Sequence, residues 1–343
     1  MKRSDILKRS GEIRSFILAE IRKNPKGITA LVVKQFGISR QAATRYLKQM
    51  VAEGQLEAKG TTKDRAYSPG KANKNSKNYD LASPLDESRI WMDDFKPLCE
   101  GIQPNVMSIC AYGFTEMVNN AIDHSDGKTL TVTFVRTPEK IGIIVGDDGV
   151  GIFKKIKEAY DLSDERQAIL ELSKGKLTTD PKKHTGEGIF FTSRLFDNFE
   201  IHSHDVLLSH QSVQENDSLV EDWLPLNGTV VLMWIKLNSE RTTKEVFDEF
   251  TDPKNDYAFD KTIVPVRLAE EELISRSQAK RLMLRVENFK RVILDFKGVQ
   301  SVGPAFADEI FRVYRNEHPE VELVPLNASE EVMKMIQRAR AAH

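Results

Sequence analysis

Three short polar motifs, in one fixed order along an otherwise apolar-periodic stretch, constrain this chain more than any bulk property does. They are Glu116-Met-Val-Asn-Asn120-Ala-Ile-Asp123-His124-Ser125, then Asp147-Asp148-Gly149-Val150-Gly151-Ile152, then Thr185-Gly186-Glu187-Gly188. Ile109, Tyr112, Val118, Ala121 and Ile122 recur at helical intervals, so the first motif lies on a helix and Glu116 and Asn120 share a face. Residues 140–145 form an apolar run of strand type, which puts Asp147 at a strand end. Gly188 opens a helix that continues through Ile189, Phe190 and Phe191.

Taken singly, each motif has a bland reading. A Glu and an Asn one turn apart are commonly an exposed polar pair, and a lone Asp-Asp-Gly is commonly a tight turn with a solvated carboxylate. Their shared order points to chemistry. A carboxylate and an amide on one helix face suit a hard cation, with the Asn oxygen as a Mg²⁺ ligand and the Glu orienting a water towards a terminal phosphate. Asp147 can accept a hydrogen bond from an exocyclic amine, while the glycines after it let backbone approach a flat ring. Free N–H groups at a helix start make a phosphate site.

Together these residues resemble the GHKL ATP-binding superfamily, which includes the gyrase B subunit, MutL mismatch-repair proteins, sensor histidine kinases and anti-sigma-factor kinases. The resemblance spans residues 90–240 and implies a Bergerat-type α/β sandwich. It implies that Glu116 is the base, that Asn120 holds Mg²⁺, and that Asp147, with Gly149 and Gly151, reads adenine. It puts the phosphates on Gly186 and Gly188. Asp123 matches a position that is acidic in the gyrase and MutL branches, whereas Asn120-Ala121-x-x-His124-Ser125 looks more like the kinase branch. Asn227-Gly228-Thr229 precedes an apolar strand at 230–235, and the family keeps a Gly-Thr there, its hydroxyl near the adenine-reading Asp. The polar stretch with Lys174, Lys176, Lys182 and Lys183 falls where the family has a mobile lid. ATP and Mg²⁺ are therefore the expected cofactors.

The net charge of −1 hides an asymmetry: residues 1–78 carry 18 Lys+Arg against 6 Asp+Glu, and the remainder carries 32 against 45. A basic head on an acidic body implies a polyanion partner for the head. Within it, residues 6–22 are helical with Ile13, Phe16, Ile17 and Ile21 on one side. A second helix runs from Gly27 to Gly37, a third over 40–51, and 55–67 alternates as a hairpin. Three helices and a hairpin resemble a winged helix-turn-helix domain. In that resemblance Ala43, Leu47 and Val51 face the core. Arg40, Gln41, Thr44, Arg45 and Lys48 form the DNA-reading face, and Lys63 and Arg65 on the wing hold phosphates. Winged helices act as dimers on paired half-sites, which makes a homodimer a candidate assembly.

In the last hundred residues strands alternate with helices, which implies an α/β unit. Helices are expected at 275–289, 304–316 and 329–341. Val292-Ile-Leu-Asp295-Phe-Lys-Gly298-Val299 looks like the centre of a STAS domain, the fold of anti-sigma-factor antagonists. Those antagonists carry a phosphorylatable Asp-Ser-Ser-Gly after this strand, where this chain has Gly303-Pro304-Ala305-Phe306. Ser301 is out of register and is expected to cap the next helix. The unit is therefore expected to dock on a protein partner or on the ATP-binding module.

The expected organisation is α+β and multidomain: a winged helix at 1–68, a linker at 69–80, the GHKL domain at 81–240, a linker at 241–259 and the STAS-like domain at 260–343. No apolar run approaches the ~20 residues needed to span a bilayer, so a cytoplasmic protein with no membrane partner is expected. The first histidine is His124, already inside the first motif, which excludes self-phosphorylation in the manner of a sensor kinase. The expected function is a DNA-binding regulator switched by ATP binding and slow hydrolysis. The alternatives are an anti-sigma-type protein serine kinase acting on a separate STAS partner, and a nucleotide-gated scaffold.

Overall fold

The computed structural model of the chain describes residues 3–61, 64–178, 185–211, 227–252, 258–268 and 272–341. At the N-terminus α1 (Arg3–Ile21), α2 (Ile28–Phe36) and α3 (Arg40–Ala52) precede the antiparallel pair β1 (Leu56–Lys59) and β2 (Ala66–Pro69). Gly37 ends α2 at φ +63°, and the Ser39 hydroxyl starts α3 by accepting from the Ala42 N–H. Ile13, Ile17, Val32, Ala43, Leu47 and Met50 are buried in a core separate from that of the rest of the chain. Met50 takes the inward position expected of Val51, which is half-buried, because the inward stripe runs 43, 47, 50.

The central unit begins with β3 (Asn73–Asp80), and α4 (Glu87–Ile90) runs on through a π-helical turn at Trp91–Phe95 and a 3-10 turn at Lys96–Cys99. Then come α5 (Pro104–His124), β4 (Thr129–Arg136), β5 (Lys140–Asp147), α6 (Ile152–Ala159), α7 (Glu165–Lys174), α8 (Gly188–Leu195), β6 (Asn198–Ser203), β7 (Val206–Gln211) and β8 (Thr229–Lys236). The strands make one antiparallel sheet in the order β3-β4-β5-β8-β6-β7. The helix α5 packs on β5, β8 and α8, and the opposite face carries a smaller buried cluster that includes Val135, Leu232 and Trp234.

Residues 73–80, read from sequence as linker, are thus the edge strand of this sheet, paired with β4 from Asn73↔Arg136 to Asp80↔Thr129. An edge strand with little buried surface can be polar throughout, and this one is held by Ser76 Oγ on Thr133 Oγ1 (2.8 Å) and Tyr79 Oη on Asp94 Oδ2 (2.7 Å).

The second expected linker, 241–259, contains α9 (Thr243–Phe250), β9 (Thr251–Asp252) and β10 (Ala258–Phe259), and the helix starts with a reciprocal cap between Thr242 and Glu245. The C-terminal unit is a parallel sheet of β11 (Lys261–Pro265), β12 (Arg291–Asp295) and β13 (Glu322–Leu326). Its helices are α10 (Arg276–Leu282), α11 (Pro304–Asp308) continuing through a π-helical stretch Glu309–Tyr314 into α12 (Arg315–Glu317), and α13 (Glu330–Ala341).

The helix expected over 275–289 stops at Leu282, because Arg285 adopts a left-handed conformation at φ +64°. Gly303, not Ser301, occupies the N-cap of α11. Phe190, Phe250, Phe259 and Phe289 belong to one buried cluster that joins the central and C-terminal units. Cys99 and Cys110 are buried and free, and no described helix is long and apolar enough to cross a membrane.

Candidate functional site

A cavity of about 310 Å³ opens between α5, the ends of β5 and β8, and the start of α8. It lies at the small end of the range typical of small-molecule sites.

The β5–β8 register builds its deepest wall by setting Asp147 opposite Thr229. Asp147 is 9% exposed, and its Oδ1 accepts from the N–H of Gly149 (2.9 Å) and of Thr229 (3.3 Å). Its Oδ2 makes no hydrogen bond among the described residues, and Asp147 lines the cavity. Burial raises this carboxyl to about 6, against the downward pull of the two backbone bonds. Thr229 Oγ1 in turn accepts from the Ile152 N–H (3.0 Å), which ties the start of α6 to β8. The adjacent Asp148 points its chemistry elsewhere: its Oδ1 takes the N–H groups of Thr129 (2.8 Å) and Lys128 (2.7 Å), which hold it below the usual carboxylate range.

This corner depends on glycine. Gly228, at φ +90°, lies so close that a Cβ there would be 2.1 Å from the Asp147 carbonyl oxygen. Gly151 lines the cavity and Gly149 does not, and a Cβ on Gly149 would stand 1.9 Å from the Ser125 carbonyl oxygen.

The second wall is α5. Glu116, Asn120 and His124 all line the cavity, and the Asn120 side chain makes no hydrogen bond among the described residues. Asp123 is exposed and is not among the residues that line the cavity, whereas its neighbours Asn120 and His124 are. Glu116 faces the third element. A Cβ on Gly188 would stand 2.0 Å from Glu116 Oε2, so glycine lets the first turn of α8 rest against this carboxylate without displacing it. Burial, followed by the carboxylates of Glu116 and Glu187, pushes the Tyr112 hydroxyl up, and burial likewise raises Glu187. Gly186 also lines the cavity, at φ +72°, with its carbonyl accepting from the Leu177 N–H (3.3 Å).

Asn119, Lys155, Leu177 and Thr178 are among the lining residues that the sequence reading did not single out. Asn119 lines the cavity beside Asn120. Lys155 lines it from α6, its Nζ on the His124 carbonyl (2.7 Å) and Asp126 Oδ2 (2.6 Å). Its signal was its place one turn into the helix after Gly151. Leu177 and Thr178 also line the cavity.

The expected lid lysines divide. Lys174 is 1% exposed and paired with Glu171, and Lys176 donates to the Asn288 carbonyl, so both face the C-terminal unit. Lys182 and Lys183 lie outside the described residues.

On the N-terminal unit Arg40, Gln41, Arg45 and Lys48 are exposed together along α3. Thr44 is half-buried, its hydroxyl donating to the Arg40 carbonyl (2.8 Å), so that hydroxyl is already used within the helix. Arg65 is exposed, its guanidinium 5.8 Å over the Tyr67 ring, and Lys63 lies outside the described residues.

Among known proteins, no curated sequence matches the chain. The family described as a STAS-like domain of unknown function, DUF4325, matches residues 278–333, from α10 into α13. The C-terminal unit is therefore STAS-like.

Proposed function

We propose that the central unit is a GHKL-type ATP-binding module and that the chain is a DNA-binding regulator switched by Mg-ATP. The observation that carries this reading is the convergence on one cavity of Glu116, Asn120, Asp147, Gly186, Gly188 and Thr229, from four separate segments of chain. Among the described residues the Asn120 amide and Asp147 Oδ2 make no hydrogen bond, which leaves both available to a ligand.

Asp147 Oδ2 accepts a hydrogen bond from an exocyclic amine, and the Thr229 hydroxyl supports the same ring edge. Asn120 is placed to hold Mg²⁺, which supplies charge neutralisation at the phosphates. Glu116 holds and orients a water and takes its proton. The backbone of Gly186 and Gly188 offers N–H groups at the start of α8.

The test is a titration of the full chain with labelled ATP and Mg²⁺, following binding and phosphate release. Saturable binding supports the module, and phosphate release adds an ATPase. Label transferred to a separate protein would favour the serine-kinase alternative, and no binding at all would sink the reading.

The three-helix unit with its hairpin supports a winged-helix reading, with α3 as the DNA-reading helix. Its basic excess and the exposed Arg40, Arg45 and Lys48 favour a phosphate-rich partner. Replacing Arg45 and Lys48 by Ala is expected to weaken DNA binding at every sequence tested. The slope of log affinity against log salt should fall by about one for each phosphate that the variant no longer neutralises. An unchanged slope in fluorescence anisotropy would remove α3 from the interface.

A further inference from the structure

The last turn of α7 carries a buried ionic cluster that no step of ATP handling uses. Glu171 is 0% and Lys174 1% exposed, with 2.6 Å between Oε1 and Nζ. The C-terminal unit completes it. Lys174 Nζ also donates to the Leu284 carbonyl (2.8 Å), and Arg285 reaches Glu171 Oε2 (3.3 Å) and donates to the Lys176 carbonyl. The Thr262 hydroxyl donates to the Lys174 carbonyl (2.6 Å), and Lys176 Nζ to the Asn288 carbonyl (2.9 Å).

Burying two charges beside a part-buried third is weak as a stabilising device, since apolar packing of the same volume serves as well or better. The backbone repeats the point. Arg285 stands at φ +64°, where glycine is the unstrained residue, so its side chain has to justify the position.

What the cluster grips is the segment that becomes the cavity wall. Leu177 and Thr178 follow Lys176 directly and line the cavity, and the Leu177 N–H is bonded to the carbonyl of Gly186. The start of α8 is tied to the same unit by a second route, because Phe190 packs on Phe259 (4.6 Å between centroids) and Phe259 on Phe289 (5.2 Å). Gly175, between the two routes, is packed so closely that a Cβ would be 2.7 Å from the Phe259 ring. Both stretches that flank Gly186 and Gly188 therefore rest on the C-terminal unit.

We infer that Arg285 is a positioning residue for the nucleotide pocket, through which the STAS-like domain sets the affinity of the central module for ATP. The inference rests on the proposed nucleotide site. Coupling of this kind is reciprocal, so ATP binding must also stiffen the turn at 284–288.

The test uses the full chain and Mg-ATP. Arg285→Gly relieves the left-handed backbone while removing the fork, and Arg285→Lys keeps one donor. Arg285→Gly is expected to weaken ATP binding about tenfold, within the usual range of such couplings, with Arg285→Lys intermediate. In the wild type, hydrogen exchange of the amides at 284–288 is expected to slow on saturation with ATP, and in Arg285→Gly to stay unchanged.

Unaltered ATP affinity in a folded Arg285→Gly protein overturns the inference. If that variant does not fold, the wild-type exchange decides alone, and exchange at 284–288 indifferent to ATP overturns it equally. A wild type that binds no ATP is a different result: it overturns the nucleotide site itself, and the inference with it.

Discussion

Asp147→Asn is expected to lower ATP affinity by about 100-fold, because it replaces the carboxylate oxygen proposed to accept from the adenine amine with an N–H donor. The same substitution is expected to make the nucleotide-free protein more stable above pH 6. Asn keeps an oxygen for the Gly149 and Thr229 N–H groups, so the backbone corner survives.

The sign of the stability effect follows from the raised carboxyl, which moves from 3.8 to about 6 on burial. Below 3.8 the group is protonated in the folded and unfolded chains alike. Between 3.8 and about 6 the folded protein holds a proton that the unfolded chain releases. Above that the fold must bury a charge, at a cost of up to about 3 kcal/mol. The stability present at low pH is thus lost as pH rises through 6, and Asn removes the loss at the expense of an unpaired amide. Melting temperatures of wild type and Asp147→Asn should cross, with the variant higher at pH 8 and no advantage at pH 4.5. ATP binding by the wild type should run the other way and strengthen as pH rises through 6, when Asp147 becomes a full acceptor. A variant that binds ATP normally would detach Asp147 from the ligand. One no more stable at pH 8 would show that the buried charge is compensated.

Asp147 and Thr229 are far apart in sequence, yet both were legible, because each sits at the end of an apolar strand and β5–β8 pairing sets them face to face. Glu116 and Asn120 were legible for a local reason, their one-turn spacing on an apolar-periodic helix. The parts missed are those whose role depends on what the rest of the fold places beside them. Asn73–Asp80 has no apolar alternation, since an edge strand needs neither a buried face nor two partners. Lys174 and Lys176 sit in a polar stretch expected to be a lid, but they pair with Glu171, Leu284 and Asn288, the last two from the C-terminal unit. Arg285 interrupts an expected helix with no Gly or Pro to announce it. Asp123 differs in the opposite sense: its motif position was matched, but it is exposed and does not line the cavity.

Glu116→Gln is expected to cut phosphate release by at least about 100-fold, the usual loss when a positioned base is removed, while ATP affinity stays within a few-fold of wild type. Gly188→Ala should reach the same result without touching a titratable group. Its new Cβ would stand 2.0 Å from Glu116 Oε2, and a flexible side chain yields sooner than a helix start, so the carboxylate turns away. A displacement of about 1 Å at a reacting group is enough to cost about 100-fold. If both substitutions act through this one carboxylate, they cannot add. The double variant Glu116→Gln, Gly188→Ala should hydrolyse ATP no more slowly than either single variant. Additive losses would mean that the new methyl group disturbs the phosphate site directly as well as through Glu116. A wild type that binds ATP and releases no phosphate leaves Glu116 without a reaction, and the nucleotide-gated scaffold then becomes the better account of the cavity.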